Sequence, residues 1–250
     1  TLMKSYIILL LSLLALNGQL STFASESLTV GLFSTKGFEP LFFSKESRRK
    51  GAYDLILKEI EKRADLKFKI EKLPAKRLQS YFRSGKIDIE MGVNPLWRPN
   101  YNGMAFYSNA FFEGCDSVIF RKDDLGKYDT IKSLRGKRAI LIHGYFYPYL
   151  QELVQERKLS INRVYGEGEL ISSLLRRKGG SFGIISRVWW SWYLKNNQLI
   201  SLQLGRPIDC VQVSFAVHKK QKHNLEKINK ALVAIKKDGT IDAIFNKFKN

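Results

Sequence analysis

The chain has 250 residues, 44% of them hydrophobic and 26% charged. Its 42 Lys and Arg outnumber 23 Asp and Glu, for a formal net charge of +19. Such a composition supports a sizeable core and excludes a disordered tail or a low-complexity tract. The basic residues are scattered in short runs, among them Arg48-Arg49-Lys50, Lys62-Arg63 and Lys219 to Lys222, and no nucleic-acid motif accompanies them. They read as solvated faces, with a loose attraction to an anionic envelope surface.

The first segment stands apart. Met3-Lys4 precedes an apolar run from Tyr6 to Leu16, followed by Thr22-Phe23-Ala24. A basic start, a short apolar run and small residues describe a secretory signal peptide, with cleavage expected near Ala24. The run is shorter than the roughly 20 residues that span a bilayer, although an N-terminal anchor is the alternative. No cysteine follows the run, which argues against a lipid anchor. The expected location is therefore the periplasm, with no stable membrane insertion.

Leu28 to Leu32 reads as a buried strand. Ala52, Leu55, Ile56, Ile60 and Ala64 recur at helical spacing, so the pattern predicts a helix over 52–64. Phe68 and Ile70 alternate with charges as a strand does. A short helix over Leu78 to Phe82 stops before Gly85, and Ile87 to Met91 forms the next strand. This opening is an α/β pattern with a parallel sheet.

The pattern then restarts. Strands are expected at Val118–Phe120, Ala139–Ile142, Gly183–Ile185 and Val211–Val217. Helices are expected near Tyr149–Val154, around Leu170–Leu175, and twice between Leu225 and Phe248. Residues 77–90 and 170–185 echo one another as helix, glycine and strand. Each closes one lobe of a two-lobed protein.

Two cysteines, Cys115 and Cys210, suggest a disulfide in an oxidising compartment. Two buried free thiols are the alternative. Without a CxxC, and with only three histidines, no metal-site spacing is present.

The order of features resembles the type II periplasmic solute-binding proteins, in the branch usually associated with polar amino acids. The matching residues are Leu28-Thr-Val-Gly31, Phe38-Glu-Pro40, Gly51-Ala-Tyr-Asp54, Ser84-Gly-Lys-Ile-Asp88 with Arg98, and Phe106-Tyr-Ser108. Ser133-Leu-Arg-Gly-Lys137, Ile142-His-Gly-Tyr145 and Lys237-Asp-Gly-Thr-Ile241 complete the set. The resemblance implies a two-lobed α/β fold. Each lobe is a mixed, mainly parallel sheet flanked by helices, with two crossover strands as the hinge. Lobe 1 would hold residues 26–116 and 214–250, and lobe 2 residues 121–209. It also implies a small polar solute bound in the cleft, an ABC permease or membrane sensor as partner, a monomer, and no cofactor. Each cysteine would precede a crossover strand. With Arg121-Lys122 level with His218-Lys219, a disulfide would tie the crossovers together.

The same resemblance assigns the cleft. Arg98 would grip a ligand carboxylate, because a planar guanidinium makes two parallel charge-assisted bonds; the plain alternative is a surface arginine beside Pro99. Phe38, and with it Phe43, would supply an aromatic wall or pack in the core. Glu90 ends a strand facing the crevice and would hold a cationic group. Asn94 would bond the ligand or begin a turn, and Trp97 would line the rim. From the second lobe come Gly144 and Tyr145, where relatives present a small hydroxyl residue. Ser186 stands where amino-acid binders carry an aspartate. Trp189 would stack on a ring or pack between helices, as would Trp190 and Trp192. Cyclohexadienyl dehydratases share the scaffold and use an acidic group in the cleft, for which Glu90 is the evident candidate. His143, His218 and His223 are scattered and form no nucleophile–base pair.

Overall fold

The computed structural model describes residues 27–33, 37–44, 46–124, 126, 128–176, 180–197 and 201–248. The expected signal peptide lies outside them. Strands β1 (Ser27–Phe33), β4 (Lys67–Leu73) and β5 (Ile89–Val93) alternate with helices α1 (Ala52–Ala64) and α2 (Ala75–Arg83). The short strands β2 (Gly37–Phe38) and β3 (Phe42–Phe43) form a separate hairpin. Leu28, Val30 and Leu32 are fully buried in β1. Parallel neighbours β4 and β5 flank that strand.

The second half repeats the plan. Strand β8 (Arg138–Ile142) is flanked by parallel β9 (Ser160–Val164) and β10 (Ser181–Ser186). The helices here are α3 (Gln151–Gln155), α4 (Glu167–Arg176) and α5 (Arg187–Asn196). Two long strands join the halves, β7 (Phe112–Arg121) and β11 (Leu202–His218), antiparallel to one another. Strand β11 pairs with β5 and with β6 (Ala105–Tyr107), while β7 pairs with β10, all antiparallel. The sheet order is thus β4-β1-β5-β11-β7-β10-β8-β9, with β6 beside β11. Helices α6 (Leu225–Lys237) and α7 (Thr240–Asn246) return to the first half, where α6 packs on α1.

Apolar clusters cover both faces of each half. In the first, Ile56, Ile60, Phe215 and Ile235 belong to one cluster and Leu78, Phe82 and Ile87 to another. In the second, Leu134, Leu141 and Leu150 oppose Ile140, Leu170 and Leu174. Sheets covered on both faces favour parallel strands with near-continuous apolar runs. The α/β class read from the pattern is the observed one, and both echoed segments are a helix followed by a strand.

Some motifs have structural explanations. Gly51 lies where an added Cβ would sit 2.3 Å from the Leu41 carbonyl oxygen, so no larger residue fits at the head of α1. The Asp54 carboxylate accepts the Gly51 N–H at 2.9 Å. Leu41 and Pro40 carbonyls accept the N–H groups of Tyr53 and Ala52, which satisfies the first turn. Asp88 accepts the Thr29 N–H at 2.8 Å and pairs with Lys220. It ties elements together instead of facing the cleft. Ser108 accepts the Phe215 N–H, joining the end of β6 to β11.

Several boundaries move. Strand β5 starts at Ile89, because the Ile87 N–H still bonds the Tyr81 carbonyl in the preceding turn. The strands expected at Val118–Phe120 and Val211–Val217 are the buried ends of β7 and β11. The middle of β7, Glu113-Gly-Cys-Asp116, is more exposed and shows no alternation. Cys115 and Cys210 lie inside these strands and are bonded to each other. The register expected around them is corrected: in the antiparallel pair, Arg121 lies opposite Leu202, and Cys115 opposite Cys210. Among the described residues, no helix is long and apolar enough to cross a membrane.

Candidate ligand-binding site

A cavity of about 130 Å³ lies between the halves, around the carboxyl ends of β1, β5, β8 and β10. Open α/β sheets present their ligands at this edge. At about one water per 10–15 Å³ of such volume, it holds roughly ten water-sized groups. That is the size of a small polar solute. Phe33, Phe38, Phe42, Tyr53, Trp97 and Tyr147 give it aromatic walls.

Of the residues singled out in the sequence, Phe38, Glu90, Trp97, Arg98, Gly144, Tyr145 and Ser186 line this cavity. Asn94 does not. Its Nδ2 donates to the Gln212 carbonyl at 2.7 Å and its Oδ1 accepts the Leu96 N–H, so it caps a 3-10 turn. Trp189 stacks on Tyr193, is buried in the second half, and lines a neighbouring outer cavity. Phe43 and Trp192 pack edge to face, with the Arg49 guanidinium over both rings.

Arg98 is bound within the protein. Its Nε donates to both Glu90 oxygens at 3.1 and 3.2 Å, and its Nη2 donates to Oε1 at 2.5 Å. Its Nη1 donates to the Trp97 carbonyl at 3.0 Å. Glu90 is 1% exposed and also accepts the Tyr101 hydroxyl at 2.5 Å. Burial opposes the Arg98 charge, but the Glu90 carboxylate holds its pKa above the usual range. The cation held by Glu90 is thus the neighbouring guanidinium. Of the five N–H groups of the fork, those that face Glu90 are spent.

Two further acids line the cavity, and sequence reasoning missed both. Asp116 lies in β7, directly opposite Ser186 of β10. The register thus places an acid on the strand beside position 186. Asp116 accepts the Tyr149 hydroxyl at 3.0 Å. Burial raises its pKa to about 6, helped by the charge of Asp209 and opposed by that hydroxyl. Glu167 opens α4, is 8% exposed, and accepts the Tyr145 hydroxyl at 3.1 Å. Burial raises its pKa to about 7, with Glu39 and Asp116 adding repulsion. The available signals were slight: an acid next to a crossover cysteine, and an acid at a glycine-flanked helix start.

Contacts between the halves close the site. Gly144 has φ +86°, and an added Cβ would meet the Ala75 Cβ at 2.6 Å. Phe33 and Tyr145 pack edge to face with ring centres 4.7 Å apart. Phe33, Ala75, Tyr145 and Glu167 form a wall shared with the outer cavity, which Lys76 and His143 also line. His218 lies elsewhere, its Nδ1 accepting the Lys220 N–H. Glu113, Cys115 and Cys210 cluster closely enough for a metal, but their sulfurs are joined in the disulfide.

Comparison with known proteins gives a consistent result. The model of the bacterial extracellular solute-binding proteins, family 3, matches residues 30–250. The chain is 23% identical over 216 residues to a probable amino-acid-binding protein, YxeM, of Bacillus subtilis, across 84% of this chain and 80% of the relative. An ancestral arginine-binding protein bound to arginine superposes with a TM-score of 0.75 at 22% identity, covering 90% of this chain and 98% of that one. An amino acid ABC transporter substrate-binding protein of Streptococcus pneumoniae, bound to L-arginine, gives 0.71 at 16% identity, covering 89% and 94%.

Proposed function

Because the chain belongs to the family 3 bacterial extracellular solute-binding proteins, we propose that it captures one small polar solute between two lobes and delivers it to the permease of an ABC importer. The lobes are residues 27–116 with 214–248, and residues 121–209, with β7 and β11 as the connection. The protein works outside the cytoplasmic membrane as a monomer.

One observation carries this reading: a small cavity between the halves whose polar groups come from both of them. Glu90 and Arg98 belong to the first, and Glu167 and Ser186 to the second. A solute touching both sets holds the halves together, and its absence lets them hinge apart. Phe38 and Trp97 supply apolar area, as in most small-molecule pockets. Among the described residues, no nucleophile–base pair lines the cavity.

A solute that binds only the folded chain raises its melting point. Thermal scans over amino acids, amines, organic acids and sugars are expected to give one class that stabilises the protein by several degrees. No stabilisation by any class would sink the proposal. Loss of uptake of that solute in a strain lacking the protein separates the importer role from a partner role with a membrane sensor.

A second reading has one observation in its favour. A buried carboxyl with a pKa of about 7 suits a general acid, as a dehydratase on this scaffold requires. Consumption of the stabilising solute on incubation would establish it.

A further inference from the structure

We propose that the solute is a linear α,ω-diamine without a carboxylate, each ammonium taken by one of the two acids that have no cationic partner. The inference rests on the binding role just proposed and names its ligand class.

Charge balance is the first argument. When ionised, Glu90, Asp116 and Glu167 carry three negative charges, and among the described residues that line the cavity Arg98 carries the positive one. Arg98 and Glu90 already neutralise one another through three hydrogen bonds. Two carboxylates remain on the cavity, Glu167 buried and Asp116 half-buried, and among the described residues neither has an ion-pair partner. An uncompensated buried charge is costly. A zwitterionic amino acid leaves the sum at two negative charges and a singly cationic one leaves one. A diamine brings it to zero.

Hydrogen bonding is the second argument. Tyr149 and Tyr145 each donate one hydroxyl to these acids, and each carboxylate keeps acceptor capacity. Glu167 does so while 8% exposed. The vacant capacity therefore calls for donors, which an ammonium supplies and a carboxylate does not. The third argument is the wall. Aromatic faces attract ammonium groups and bury the methylenes between them.

Binding must also displace protons. Empty and near neutral pH, Glu167 and Asp116 hold a fractional proton each. A diamine that fixes both as carboxylates releases them, so its affinity rises between about pH 6 and 8. Tyr145, Tyr147, Glu39 and Asp116 act on Glu167, and Lys76, His143 and Glu169 line the outer cavity with it; Tyr145, Tyr147, Tyr149, Asp209 and Glu167 act on Asp116.

The test is titration calorimetry of the mature chain with 1,4-diaminobutane, arginine, glutamate and succinate, at pH 6 and 8 in two buffers of different ionisation enthalpy. The expected result is tightest binding of the diamine, at least about tenfold stronger at pH 8, with proton release. Asp116→Asn and Glu167→Gln are each expected to weaken it about tenfold or more while neither lowers the unliganded melting point by more than a few degrees. Tighter binding of arginine, glutamate or succinate than of the diamine overturns the diamine class and leaves solute binding standing. Undiminished diamine binding in both folded variants also overturns it. If nothing in the wider solute panel binds, the binding role itself falls.

Discussion

A carboxyl group that is 8% exposed holds its proton to higher pH than an exposed one, and the charges of Glu39 and Asp116 push the same way. Glu167 illustrates how much the surroundings decide: Glu90 is more deeply buried but lies against a guanidinium that balances its charge. The consequence for stability has a definite sign. Because the folded pKa of Glu167 lies above its ordinary 4.5, its contribution is fully present below about pH 4.5. That contribution is lost as the pH rises through about 7. The change is on the order of 3 kcal/mol. Urea unfolding of the empty protein at pH 4.5 and 7.5 is expected to show this loss, and Glu167→Gln is expected to remove most of it. An equal pH dependence in the two proteins would mean that Glu167 is not held in its protonated form. At this scale the sequence was only partly legible. Arg98 was found from its place after the glycine–aspartate strand, but its partnership with Glu90 depends on side-chain directions that no spacing reports. Asp116 escaped notice because register alone brings it beside Ser186.

Among the elements, the loop after β8 decides whether the cavity can close. Gly144 has a left-handed backbone and touches the first turn of α2, so a side chain there meets Ala75 before the halves come together. Gly144→Ala is expected to weaken solute binding by about 1–3 kcal/mol, the usual cost of overpacking. That corresponds to about 5- to 150-fold in dissociation constant. Calorimetry with the stabilising solute measures it, and unchanged affinity would show that this contact plays no part in closure. Arg49 over the rings of Phe43 and Trp192 makes a further contact between the halves. Elements with a clear period were readable: α1 has the expected limits, and α4 and α6 enclose their predicted cores. The strand β9 was not, since it is a largely exposed edge with little apolar alternation. The crossover strands were readable only at their buried ends.

For the whole molecule, the repeated order of a central strand between two parallel neighbours explains why sequence order alone pointed to this fold. Each half needs its own continuous apolar runs, and those runs survive in the sequence as two similar series. The relation between the halves was less legible, because β7 and β11 run antiparallel with irregular register near Pro207. The Cys115–Cys210 bond fixes that pairing across a separation of 95 residues. Closing a loop of that length stabilises a fold by about 4–5 kcal/mol through the unfolded chain. It ties together the two strands that join the halves, while each half keeps its own apolar clusters. The central claim is that this hinge closes on one solute and returns it unchanged. Native mass spectrometry of the mature chain, incubated with the solute that best stabilises it, tests that most directly. The account predicts one solute per chain with its mass unaltered after release, and a complex that weakens in Asp116→Asn and Glu167→Gln. Absence of a one-to-one complex, or a released molecule of changed mass, would contradict it.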